Sequence, residues 1–139
     1  MMQDDFSSVD VSTLANNRQW QAQYRTLMSW GDLIQPKPEL RLDEHRVRGC
    51  AANTWLALQE NQFFFDSDSR IIKGLAALLL AQLGNGSLRV ENLAAWERQL
   101  QQLGLHKHLS PSRNNGLQAL QRRMRELWDQ AGAKPVAQK

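Results

Sequence analysis

The sequence predicts an α+β fold: a small three-stranded antiparallel sheet with helices packed on one face, in a single domain over residues 1–139. Three observations carry that prediction. Short aromatic or β-branched runs separated by turn-like residues fill positions 45 to 67. Helix-period segments lie before and after them without βαβ alternation. At 139 residues and 42% apolar, the chain is long enough for one ordinary core and too short for two.

Residues 1–12 read as a mobile tail. Trp20, Tyr24, Leu27, Met28 and Gly31 then recur at helical spacing and predict a helix of roughly 15 residues. "IQPKPEL" stops it, because each proline lacks an N–H and pushes its predecessor out of the helical region. "HRVRG", "NTWLALQ" and "QFFFDS" are the expected strands, with a tight turn at Glu60-Asn61 and "NTWLALQ", apolar on both faces, in the middle. "SDSRIIKGLAALLLAQLGNG" combines capping residues at 67–69, a helix apolar around most of its circumference and a Gly-Asn-Gly stop. That helix is expected at the buried centre. A shorter amphipathic helix ends at Gly104. The last one starts with Ser110 as N-cap and Pro111 at the first position, and its apolar stripe is Leu117, Leu120, Met124 and Leu127. Residues 131–139 read as a second tail.

Composition narrows function by exclusion. A net charge of +3, from 17 Lys and Arg against 14 Asp and Glu, does not by itself make a nucleic-acid binder. The basic excess around Arg122, Arg123 and Arg125 reads first as a solvated helix face, then as a surface for an acidic protein partner. "MMQDDFSSVD" is acidic and polar where a secretory signal is basic and then apolar, and the longest apolar stretch, 71–83, is too short to span a bilayer. A cytoplasmic location without membrane association is expected.

The candidate chemistry centres on Cys50, the single cysteine. It cannot form an intramolecular disulfide, and it lacks the second thiol of a Cys-x-x-Cys motif. Free cysteine is commonly a small buried hydrophobe. Here it follows Arg46, Arg48 and Gly49 at an apparent bend between strands, where cationic neighbours favour the nucleophilic thiolate. Both readings stay open on the residues alone. A Cys–His enzyme needs a base in reach of the thiol, and His45, His106 and His108 are available without one being singled out. A metal site on His106, His108, Cys50 and a carboxylate has little support, since "HKH" at a helix junction fits exposed or capping histidines. No Walker loop, GxGxxG after a strand, or HExxH appears. Sulfur transfer asks less of the chain, because a thiolate attacking the outer sulfur of a partner's persulfide needs access and a leaving thiol, not a built-in base.

"RVRGCAANTWL", "DSDSRIIKGLAALLLAQL" and "LGLHKHLSPSRNNGLQAL", in unbroken order from about Trp20 to Leu127, resemble the SufE and CsdE family of sulfur acceptors. The resemblance implies an accessory protein and not an enzyme in its own right. Its Cys50 would accept persulfide sulfur from a cysteine desulfurase, SufS-like or CsdA-like, stimulate that enzyme, and pass the sulfur to a downstream acceptor or scaffold for iron–sulfur cluster assembly. It also implies no cofactor in this chain, pyridoxal phosphate belonging to the desulfurase, and a cysteine loop that tucks into an apolar pocket and swings out on docking. Gly49, Trp55, Asp66, Asp68 and Arg113 match family positions, with Asp68 and Arg113 implied to position the loop or the docking surface. The chain departs from the family at Ala51, where Gln or Glu is usual, at Thr54, where Val is usual, and in a shorter hairpin. A non-catalytic adaptor docking through the basic C-terminal helix is the remaining alternative.

Overall fold

The structure, a computed structural model, describes residues 3–17 and 19–132. Its elements are helices α1 (Val11–Ala15) and α2 (Trp20–Gly31), strands β1 (Thr54–Gln59) and β2 (Gln62–Ser67), and helices α3 (Arg70–Gly84), α4 (Leu93–Leu103) and α5 (Pro111–Gln130). The α+β class therefore stands, and the expected helices appear. Ser69 caps α3 by accepting the Ile72 N–H, Ser110 caps α5 by accepting the Arg113 N–H, and Gly104 ends α4 in the left-handed conformation at φ +77°.

The sheet is smaller than the sequence predicts. It has two antiparallel strands, with Leu56 opposite Phe65 and Trp55 opposite Asp66. The expected first strand, "HRVRG", is reduced to one bridge, Arg46 to Trp55. The residues on either side explain this: Asp43–His45 is a 3₁₀ turn, and the chain bends again at Gly49, leaving too little extended backbone for a ladder. The hairpin turn falls where expected. Glu60 and Asn61 both have positive φ, +52° and +64°, as a two-residue turn matching the strand twist requires.

Both faces of the hairpin are covered. Leu56 and Phe65 join the main core with α3, whereas Trp55, Ala57 and Phe64 form a second cluster with Leu40 of the connector. Helix α3 is the buried centre, with Ile71, Ile72, Leu75, Leu78 and Leu79 inaccessible. It crosses α2 so closely that a Cβ on Gly74 would lie 2.0 Å from the Leu27 carbonyl oxygen. Helix α5 closes the core with Leu117, Leu120 and Met124.

The tail expected over 1–12 differs as well. Val9 is buried, Phe6 packs on the core, and Asp10 caps α1. Asp4 forms an ion pair with the buried Lys37 ammonium at 2.5 Å, and that ammonium also donates to the Gln35 and Phe65 carbonyls. Burying a lysine requires such partners, and two of the three come from outside the connector that carries it. Of the expected C-terminal tail, residues 133–139 lie outside the described residues.

Candidate functional site

Cys50 lies on a loop between the single bridge at Arg46 and the start of β1, and so not between two full strands. The Val47 N–H donates to the Thr54 carbonyl at 2.8 Å and closes the loop. Gly49 bends it at φ +89°, a conformation costly for any residue with a Cβ. A side chain there would also meet Arg122 Nη2 at 3.2 Å.

The thiol is half-buried and bounded on two sides. On one side, its Sγ is 3.4 Å from the Thr54 hydroxyl. That hydroxyl lies 3.1 Å from the Ala52 carbonyl, which can only accept, and 3.0 Å from the Ser67 hydroxyl. Thr54 has one proton, and the Ala52 carbonyl takes it, so Ser67 and the Cys50 S–H both donate to Thr54 Oγ1. The Ser69 N–H in turn donates to Ser67 Oγ at 3.1 Å. On the other side lies α5, where a Cβ placed on Gly116 would come within 2.8 Å of Cys50 Sγ and 3.3 Å of Ile72 Cδ1. The sulfur therefore rests against bare helix backbone.

The far end of the loop is tied by charge. Asn53 accepts the Asp68 N–H on its carbonyl at 2.9 Å, donates its amide to Asp68 Oδ2 at 3.1 Å, and accepts from Arg46 on Oδ1. Arg41 donates to Asp68 and Asp66, both at 2.9 Å, and lies 4.4 Å from the centre of the Trp55 ring. Asp66 is fully buried and also accepts the Lys37 and Ser67 N–H groups. Burial pushes its carboxyl up, but the Arg41 bond and the two N–H groups outweigh burial and hold it below the usual carboxylate range. The amide of Asn53, then Arg41, hold Asp68 low as well.

The residues singled out in the sequence thus separate into two groups. Gly49, Asp66 and Asp68 belong to the loop or its base, and Asp68 does so by gripping Asn53, since Ser69 is the residue that caps α3. Arg113 belongs elsewhere: it donates to the Tyr24 hydroxyl, with its guanidinium 5.4 Å from that ring centre. Spaced three residues from Gly116, it shares the α5 face one turn away from the thiol contact. His108 stacks on Trp20 with ring centres 5.5 Å apart, and the polar group facing the thiol is a hydroxyl in place of the imidazole a Cys–His enzyme would need. Among the described residues, no group of three or more His, Cys, Asp or Glu is placed to hold a metal ion.

Sequence reasoning missed Arg41, Asn53, Thr54 and Gly116 as parts of this site. Two of them left a signal: Thr54 stands where the family usually has Val, and Gly116 falls inside a helix. A glycine inside a helix costs about 1 kcal/mol relative to alanine, so one in the middle of an otherwise regular α5 calls for a packing reason.

The loop geometry can be set beside known proteins. The family model SufE, described as the Fe-S metabolism associated domain, matches residues 10–128. The chain belongs to the SufE family. It is 37% identical over 131 residues to the sulfur acceptor protein CsdE of Escherichia coli, covering 82% of this chain and 84% of that one. An uncharacterized SufE-like protein of Rhizobium etli is 33% identical over 133 residues, covering 88% and 84%. The chloroplastic/mitochondrial SufE-like protein 1 of Arabidopsis thaliana is 38% identical over 102 residues, 69% of this chain and 27% of that longer one. Among the described residues, no helix is long and apolar enough to cross a membrane.

Proposed function

We propose that this chain is a cytoplasmic sulfur acceptor that takes sulfur onto Cys50 from the persulfide of a cysteine desulfurase, SufS-like or CsdA-like. It hands that sulfur to a downstream acceptor or scaffold for iron–sulfur cluster assembly. In this reading the chain is an accessory protein and carries no cofactor, pyridoxal phosphate acting in the desulfurase. Membership of the SufE family and similarity to a protein named as a sulfur acceptor support the class of chemistry.

The observation that carries the reading is how loosely the thiol is held within a well-anchored loop. A single polar contact, to Thr54 and with a sulfur donor, restrains the half-buried Sγ, whereas charged hydrogen bonds fix Asn53 three residues away. Such a thiol can leave its seat without unfolding the strands. Transfer then requires the Cys50 thiolate to attack the outer sulfur of the partner's Cys–S–SH. The inner S–S bond breaks, the partner's cysteine leaves as thiolate, and Cys50–S–SH forms with no net oxidation. The proton lost by Cys50 goes to solvent or the leaving thiolate. Removing the persulfide frees the desulfurase for its next turnover, which accounts for stimulation.

The test is intact mass after incubation with a desulfurase, pyridoxal phosphate and free cysteine. A gain of one sulfur that disappears with reductant and in Cys50→Ser, with partner binding retained, is the expected result. An unmodified Cys50 with both SufS-like and CsdA-like partners would overturn the reading. Loss of an intrinsic hydrolase activity in Cys50→Ser would point to a thiol enzyme, and no effect on any function would point to an adaptor.

A further inference from the structure

We infer that Gly116 of α5 is a positioning residue: the space left by its missing side chain is the seat that holds Cys50 in its resting place. The distances argue for a fit specific to this pair. A Cβ at Gly116 would stand 2.8 Å from Cys50 Sγ, closer than nonbonded carbon and sulfur approach, and 4.0 Å from Cys50 Cβ, an ordinary contact. The conflict is therefore with the sulfur atom and not with the loop's backbone. Ile72 Cδ1, at 3.3 Å, is the other neighbour and sits at the end of a side chain. Thr54 Oγ1 lies 3.4 Å from the sulfur and is itself fixed by Ala52 and Ser67. Thr54 is wholly buried, so the sulfur cannot retreat in that direction.

The backbone at Gly116 places no demand for glycine. It lies within regular α-helix, between the Ser110 cap and Gln130. Alanine would suit that conformation better, because glycine loses more conformational freedom on forming helix. The glycine thus weakens α5 locally and in return leaves room for the thiol. Any residue larger than glycine shifts the loop toward positions in which Cys50 has left α5, and the size of the side chain at 116 sets how often the thiol is presented. This deepens the sulfur-acceptor reading, but its test follows loop position alone.

The experiment places Gly116→Ala in two backgrounds, native Cys50 and Cys50→Ala, and measures maleimide labelling of Cys50 in the first and thermal unfolding in both. With Cys50 present, G116A should label about fivefold faster or more, the population change that overpacking by about 1 kcal/mol produces. In the Cys50→Ala background, where the conflicting sulfur is gone, the same substitution should raise the melting temperature by roughly 2–6 °C through its helix preference. With Cys50 present, that gain should shrink or reverse. Equal destabilisation in both backgrounds would make Gly116 a general packing requirement and overturn the proposal, as would an unchanged labelling rate in folded G116A. Failure of sulfur uptake by the native protein would sink the acceptor reading and leave these results standing.

Discussion

The two ends of the Cys50 loop are held by opposite kinds of interaction. At Asn53, charged groups converge: Asp68 grips the amide, Arg41 joins Asp68 to the fully buried Asp66, and Arg41 lies over Trp55. At Cys50 there is a thiol donating to a hydroxyl and a contact with bare backbone at Gly116. Thiol hydrogen bonds are weak, whereas bonds to carboxylates are the strong ones. The contrast separates the two ends: the base keeps the loop in register with β1, and the tip is the end with freedom to move.

Removing the strong end should have the largest effect. Asp66→Ala leaves the Lys37 and Ser67 N–H groups without their acceptor and Arg41 without its buried partner. A loss of about 3–5 kcal/mol is expected, read as a lower urea midpoint at unchanged slope. A loss below about 1 kcal/mol would show that the base is held by hairpin packing alone. Next in size is the bend itself. Gly49→Ala forces a Cβ into φ +89° beside Arg122, at an expected cost of about 1–2 kcal/mol, with the thiol displaced from α5 as the loop relaxes. Its labelling rate should rise together with its instability, unlike that of G116A.

Acid tests the charged end separately. Asp66 and Asp68 both sit below their ordinary value of 3.8 in the folded protein. A folded value below the unfolded one means that their contribution is present above about pH 4 and is lost as pH falls through the folded values. Stability from these groups should be level between about pH 5 and 7 and decline below about pH 4. In Asp66→Asn the decline should be shallower. A decline that begins near pH 6 would show that groups other than these two carboxylates set the acid limit.

The same contrast explains what was legible in the sequence. Local rules placed the cap of α3 within residues 67–69, the Ser110 cap, the Gly104 stop and the Glu60-Asn61 turn, because each depends on a few neighbouring residues. The cysteine's bend at Gly49 was legible for the same reason. Long-range polar contacts were not. Lys37 stands in the connector between the helix-stopping prolines, with nothing nearby to mark it as buried, yet its ammonium is paired with Asp4, 33 positions away. Arg113 finds Tyr24 across 89 positions, and Arg41 reaches Asp66 across 25. The third strand failed for a related reason: "HRVRG" has strand character, but the turns on either side of it leave room for one bridge. Thr54, visible in the sequence only as a departure from the family's usual Val, carries the one polar contact to the thiol.

The smallest expected change in stability belongs to Asp68→Ala, and it separates the two ends most finely. The Asp68 and Arg41 side chains are 47% and 35% exposed, so solvent screens their pair and its loss should cost at most about 1 kcal/mol. The melting temperature should therefore hardly move. What Asp68→Ala does remove is the grip on the Asn53 side chain, while the backbone bond from residue 68 to the Asn53 carbonyl persists. Amide exchange across residues 51–53 should accelerate, with β1 beyond Thr54 unaffected. Labelling of Cys50 in the same variant separates two couplings. If it accelerates too, the charged base limits how far the tip strays; if exchange quickens while labelling stays constant, the seat at Gly116 alone governs presentation of the thiol, and the two ends of the loop act independently.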